Sequence, residues 1–167
     1  MSDKDPSPDA PRALDPVIVV VTTSRGSFEL ELFPDAAPRH CESFVKLVND
    51  GFYDGLHVHR QVPGFVVQAG CPHTRDNPRH PRAGTGGPGY LLPAEFNDRP
   101  HRRGTLAMAR AADPNSAGSQ FYICLEPQPS LDHQYTVFGA VRGDGMSVVD
   151  ELRVGDRLEN LRVLQAA

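Results

Sequence analysis

No tryptophan occurs among the 167 residues of this chain, and only three are cysteine. Without tryptophan, no site in the chain can be lined by an indole. Three cysteines cannot close a disulfide framework. With no export signal in view, the expectation is a reduced, cytoplasmic setting. The longest unbroken aliphatic run covers residues 17–21. A membrane-spanning helix needs roughly 20 such residues and a signal-peptide core roughly 7–15, so neither is expected. Residues 1–16 lack an Arg-rich amphipathic pattern, so an organelle transit peptide is not expected either.

What the chain has in quantity is turn formers, with 16 prolines and 15 glycines. Their share is above average but below that of low-complexity sequence. Such punctuation favours many short strands over long helices. A hydrophobic share of 39% suffices for a core, and the length suits one domain. A net charge of −4 gives no reason to expect general nucleic-acid affinity. That charge is uneven: residues 57–110 hold eight arginines against three acids, and the rest of the chain is acidic. The basic stretch reads as a surface for acidic partners or as solvated loop charge.

Residues 1–16, with four prolines and four aspartates, are expected to form a disordered tail before a folded domain over 17–167. Residues 17–21 and 27–33 read as paired strands, with Phe28, Leu30 and Leu32 alternating with Glu29 and Glu31. A helix is predicted from Pro38, suited to a first turn, to Gly51, suited to a stop. Cys41, Phe44, Val45, Val48 and Phe52 form its apolar stripe, so the Cys41 thiol is expected to be buried and inert. Further short strands are predicted near 56–60, 65–69, 95–96, 104–109, 121–125, 137–141 and 161–164, and a second helix over about 146–154. Many short strands with two helices argue for a barrel or sandwich.

Several chemistries find no complete motif. Gly84-Thr-Gly-Gly-Pro-Gly89 matches a dinucleotide pattern, but no helix follows and no Lys-Ser/Thr pair makes it a phosphate loop. Cys71, His73 and His80, with His57 and His59 upstream, invite a metal reading. No acidic residue or second cysteine completes a familiar ligand set. No G-x-S-x-G elbow is present, and Cys124 lies in an apolar strand, so nucleophilic catalysis is not expected.

The informative blocks stand in order along the chain. They are His59-Arg-Gln-Val-Pro-Gly-Phe-Val-Val-Gln68, Gly84-Thr-Gly-Gly87, Gly104-Thr-Leu-Ala-Met-Ala-Arg110, Asn115-Ser-Ala-Gly-Ser-Gln-Phe-Tyr-Ile123, Leu131-Asp132 and Tyr135-Thr-Val-Phe-Gly139. Over residues 17–154 these resemble the cyclophilin family of peptidyl-prolyl cis-trans isomerases. The resemblance implies a mainly-β fold: a closed eight-stranded antiparallel β-barrel, capped by two α-helices, with the active groove outside. It gives Arg60 the catalytic role, with Gln68 beside it. It gives Phe65, Val66, Tyr122 and Leu131 the proline pocket, and Gln120 a polar place in the groove. Ala109, Arg110 and Ala111 become a peptide-binding backbone edge, Gly84 part of a neighbouring glycine loop, and Tyr135 the substitute for a usual histidine. The partners implied are Pro-containing polypeptides, with no nucleic acid, no membrane, no metal and no cofactor, and the protein is expected to be a monomer.

The residue types suit the reaction the resemblance implies. Turning an X-Pro amide breaks no covalent bond; it twists a partial double bond until the prolyl nitrogen offers a lone pair. A guanidinium is a permanent cation and a donor only, so it can favour the twisted state over the planar one. A two-residue turn at Pro63-Gly64 would pair Arg60 with Val67 and send Gln68 to the other face. A bulge or longer turn is therefore predicted between them. Ser130 stands where eukaryotic members carry tryptophan, which implies weakened cyclosporin binding. A non-catalytic binder of Pro-containing segments on the same fold is the other reading.

Overall fold

The computed structural model describes residues 17–164; the predicted tail over 1–16 lies outside the described residues. The chain runs β1 (Val17–Thr23), β2 (Gly26–Leu32), α1 (Pro38–Asn49), β3 (Arg60–Val62), β4 (Val66–Ala69), β5 (Thr105–Met108), β6 (Phe121–Cys124), β7 (Thr136–Val141), α2 (Met146–Val149) and β8 (Leu158–Leu164). Single 3-10 turns lie at Pro72–Thr74 and Pro129–Leu131. All eight strands join one sheet in the order β3-β4-β6-β5-β7-β2-β1-β8, every pairing antiparallel.

The expected closed barrel is corrected: the sheet is an open, strongly curled half-barrel. β3 and β8 are its edges, and among the described residues no ladder joins them. The break lies opposite residues 56–59, which the sequence pattern places in a strand. On the β8 side the chain turns off at Gly155, with φ 98°, and Asp156 N–H donates back to Arg153 O, so no ladder continues past Arg157; the His57 N–H, facing away from β8, donates to Thr74 Oγ1 at 3.1 Å. One isolated bridge remains, His57 to Arg157, with Val58 N–H donating to Asp156 O and Leu158 N–H to Leu56 O. The strand expected at 95–96 is also absent, because the Glu95 N–H donates to Thr136 Oγ1 at 2.9 Å.

Strands β4, β5, β6 and β7 are buried on both faces. Their inward residues, among them Val67, Leu106, Ile123 and Phe138, join the main core with Val19, Val21 and Leu30 of the first hairpin. Their outward residues, Val66, Ala107, Tyr122, Cys124 and Val137, form a second apolar cluster under Phe65, Leu131 and Tyr135. Helix α1 closes over the main core. Its Phe44 meets Phe121 edge-on at 5.7 Å and Phe138 at 5.3 Å. Of the predicted stripe, Cys41, Phe44 and Val48 are buried, whereas Val45 and Phe52 are half-buried. Burial pushes the Cys41 thiol up to about 12, as expected of an inert cysteine.

One close approach requires glycine. Gly70, at the end of β4, has φ 101°, and a Cβ there would lie 2.4 Å from the Ser119 carbonyl oxygen. The Ser119 hydroxyl in turn donates to Gly70 O at 2.7 Å. Gly70→Ala is expected to destabilise the fold by about 3 kcal/mol or more, the sum of backbone strain and overpacking. Urea denaturation measures it, and an unchanged midpoint would contradict the close approach.

The α1 N-terminus is capped from far along the chain. Ala37 at the N-cap offers no side-chain acceptor. Glu95 supplies it instead: Arg39 N–H donates to Oε2 at 3.0 Å and His40 N–H to Oε1 at 2.8 Å. The His40 ring adds a contact through Nδ1 at 2.7 Å. Burial opposes the Glu95 charge, but the two amides and the ring outweigh it and hold the carboxyl below its ordinary value. Its stabilising contribution is thus full above its unfolded value of 4.5 and is lost as pH falls through the lower folded value. Glu95→Ala is expected to cost about 1–2 kcal/mol at pH 7 and to flatten the loss of stability below pH 4.5. Thermal melts of both proteins across pH 3–7 check it; parallel curves would argue against the cap.

Candidate active site

The turn between β3 and β4 decides how the site is built. Phe65 N–H donates to Val62 O at 3.0 Å, so the connection is Pro63-Gly64-Phe65, with Gly64 at φ 73°. This three-residue turn is the longer one predicted, and it pairs Arg60 with Gln68 and Val62 with Val66. The register continues outward across the sheet. Gln68 pairs with Tyr122, Tyr122 with Ala107, and Ala107 with Val137. Because strand side chains alternate faces, this row stands on the outer face together. A one-residue slip would turn it inward.

Above that row lies a groove of about 430 Å³. Ten of the residues expected in the site line it: Arg60, Phe65, Val66, Gln68, Gly84, Ala109, Arg110, Tyr122, Leu131 and Tyr135. Ala111 and Gln120 line instead an adjoining hollow of about 500 Å³, which shares Gln68, Gly84, Ala109 and Arg110 with the first. Two further lining residues, His59 and Ala83, lie outside the expected set. Their positions carry no apolar or catalytic signal in the sequence, and His59 reads there only as a metal candidate. Burial lowers the His59 pKa and the Arg60 charge acts the same way, so its ring is neutral at pH 7.

Polar side chains run along one wall. Arg60 Nη1 reaches Gln68 Oε1 at a long 3.4 Å, Gln68 Nε2 donates to Gln120 Oε1 at 3.2 Å, and Gln120 Nε2 donates to Gly86 O at 2.8 Å. Arg60 is exposed and sits 5.6 Å from the Phe65 ring centroid. The opposite wall is tied by Arg110, whose Nη2 donates to Gln134 O at 2.7 Å and Nη1 to Ala111 O at 2.9 Å, while its guanidinium lies 4.6 Å over the Tyr135 ring. The floor is apolar: Val66, Tyr122 and Leu131, with Tyr135 edge-on to Tyr122 at 5.8 Å. Beneath it, burial pushes the Cys124 thiol up to about 12, so no thiolate nucleophile faces the groove.

The glycine loop is held from behind by Cys71. Gly84 and Gly86 N–H groups both donate to its sulfur at 3.3 Å. Among the described residues, no group of three or more His, Cys, Asp or Glu side chains is placed to hold a metal ion. The His57 ring is engaged with Thr74, and His73 stacks on His80 at 5.6 Å. Cys71→Ala is expected to speed amide exchange at Gly84 and Gly86 about fivefold, the loss of a hydrogen bond worth roughly 1 kcal/mol, with β4 amides unaffected. Unchanged protection at both glycines would show that the sulfur is not their acceptor.

The arrangement offers a cationic donor beside an apolar hollow, with backbone edges on either side and no activated nucleophile. Comparison with known proteins agrees. The family model "Cyclophilin type peptidyl-prolyl cis-trans isomerase/CLD" matches residues 18–166. A peptidyl-prolyl cis-trans isomerase of Synechococcus elongatus is 48% identical over 89% of this chain and 97% of its own. Peptidyl-prolyl cis-trans isomerase B of Bacillus subtilis is 46% identical over 81% of this chain and 89% of its own. A crystal structure of a Cryptosporidium parvum cyclophilin type peptidyl-prolyl cis-trans isomerase superposes with a TM-score of 0.80 at 27% identity, covering 92% of this chain and 100% of that one.

Proposed function

The chain belongs to the cyclophilin-type peptidyl-prolyl cis-trans isomerases, and on that premise we propose that its groove of about 430 Å³ is where an X-Pro bond is turned. The work of isomerisation is divided among the groove's residues. The proline ring enters the hollow between Phe65, Val66, Tyr122, Leu131 and Tyr135. Ala109, Arg110 and Ala111 present backbone to the peptide beside it, with Gly84 facing them and Gln120 holding the loop. Pro-containing polypeptides are the substrate class; a related Cryptosporidium parvum enzyme was crystallised in the presence of the dipeptide Ala-Pro.

Arg60 acts on the twisted amide. Rotation must overcome a barrier of roughly 20 kcal/mol. As resonance is lost, the prolyl nitrogen becomes an acceptor that the planar amide lacks. A guanidinium hydrogen bond to it therefore forms only in the transition state, the condition for raising turnover. Such a bond contributes about 1.5–3 kcal/mol, or roughly 10- to 150-fold in rate. The observation that carries this assignment is the pairing of Arg60 with Gln68, which sets the guanidinium at the groove rim with only a long 3.4 Å bond to the glutamine. Gln68 orients it, and desolvation by the apolar floor supplies part of the remainder. No proton transfer, metal or cofactor enters this scheme.

Residues 17–167 act as one monomeric isomerase domain. Three unpaired thiols, all buried, fit a reducing cytoplasm, and among the described residues no helix is long and apolar enough to cross a membrane. Ser130 is exposed on the 3-10 turn beside Leu131 and offers no indole to a cyclosporin ring, so that ligand binds weakly.

Arg60→Ala is expected to lower kcat/KM on an Ala-Pro peptide by roughly 10- to 150-fold through kcat, with melting temperature unchanged. A protease-coupled isomerisation assay measures it. Activity that survives the substitution would remove the donor mechanism, and peptide binding without turnover in the parent protein would favour a non-catalytic binder.

A further inference from the structure

Behind the groove floor lies a polar chain, buried at His101 and Tyr122 and half-buried at Asp132, that the isomerisation scheme does not use. His101 is fully buried, on the segment leading into β5. Asp132, just after the 3-10 turn that carries Leu131, grips it twice through Oδ1. The His101 N–H donates at 2.7 Å, and Nδ1 lies at 3.0 Å. On the ring's other side, Nε2 lies 2.8 Å from the Tyr122 hydroxyl. The His101 and Tyr122 rings are within 14° of parallel. Tyr122 is the groove residue at the centre of the outward-facing row.

The proton positions follow from the donor inventory. A carboxylate accepts only, so Nδ1 carries a proton. Burial lowers the His101 pKa despite the pull of Asp132, so the ring is neutral and Nε2 keeps a lone pair. The Tyr122 hydroxyl must then be the donor. Its one proton points back into the protein, and the ring shows the groove a fixed apolar surface.

We propose that Asp132 and His101 are positioning residues for the proline pocket: they fix the His101 tautomer, which anchors the Tyr122 hydroxyl and so holds the Tyr122 ring in place under the prolyl ring. This rests on the reading of Tyr122 as part of that pocket. The polar chain meets the groove through Tyr122, so its effect is on binding. The prolyl ring occupies the pocket in both the planar and the twisted state. Loosening the floor therefore weakens both alike and raises KM, whereas removing a donor used only in the twisted state lowers kcat. The anchor also explains how a tyrosine is accommodated in an apolar pocket floor: its hydroxyl is paired rather than left buried without a partner.

The test is a double-mutant cycle read in KM and kcat on an Ala-Pro peptide, with Asp132→Ala, Tyr122→Phe and the two combined. Asp132→Ala is expected to raise KM about three- to tenfold with kcat within about twofold, the size of one lost hydrogen bond. In the Tyr122→Phe background, Asp132→Ala is expected to raise KM no further, because the hydroxyl it acts through is gone. Asp132→Asn keeps an acceptor oxygen and is expected to restore KM to within about twofold of the parent. An equal KM increase from Asp132→Ala with and without the hydroxyl would overturn the proposal, since a purely structural role acts in both backgrounds. Imidazole 15N spectra of the parent protein give a readout free of folding effects: a His101 proton on Nδ1 supports the proposal, and one on Nε2 overturns it. Tyr122→Ala separates the two levels. An unchanged KM there would remove the pocket reading and the proposal with it. A raised KM beside an additive cycle would remove the proposal alone.

Discussion

The pairing of Arg60 with Gln68 is the constraint on which the site depends. It is set by three residues, Pro63-Gly64-Phe65, that turn β3 back as β4. Side chains on a strand alternate with a period of two, so this register places Gln68 and Val66 on the outer face and Val67 and Ala69 on the core face. The next pairings carry the choice to Tyr122, Ala107 and Val137. A turn shorter by one residue would leave the same amino acids with the guanidinium facing away from its glutamine. The chemistry at the rim and the apolar floor are thus consequences of one local geometry, propagated by hydrogen-bonded ladders.

Two-sided burial comes from the same sheet. In the outer half of the curl, one face fills the core and the other carries the groove, so β5 and β6 are buried at every position. The groove floor is thereby as well packed as the interior behind it. Long-range polar contacts then fix what the ladders leave free. Glu95 seats α1, Cys71 holds the glycine loop, Arg110 ties Gln134 to Ala111, and the Asp132–His101 pair engages Tyr122. Each uses a buried or half-buried polar group that would cost stability if left unpaired, so each specifies one arrangement.

Much of this is legible in the chain. The first hairpin is visible because Phe28, Leu30 and Leu32 alternate with glutamates, and α1 because Pro38 and Gly51 bracket an apolar stripe. The outer strands are harder. A strand buried on both faces loses its alternation, so Phe121–Cys124 shows only an apolar run. Residues 56–59 look like a strand and are not a full one, because the segment opposite turns off at Gly155 and Asp156 N–H donates to Arg153 O after a single bridge. The closed barrel fails for the same reason. The contact between Asp132 and His101 is invisible in sequence, since a lone acid and a lone histidine 31 residues apart carry no pattern.

By itself the sequence determined the kinds of residues available: an arginine beside a Pro-Gly turn, an apolar set for a pocket, glycines for a loop, and no motif for an activated nucleophile. Its ordered blocks also identified the family, because residue identity and spacing survive without coordinates. Only the tertiary structure decided the strand order, the open edge between β3 and β8, the row from Arg60 to Val137, and the contacts of Glu95 and Asp132. These depend on pairings between segments distant in the chain. Local propensity acts over a few residues, whereas such pairings are settled by how the whole sheet buries its two faces.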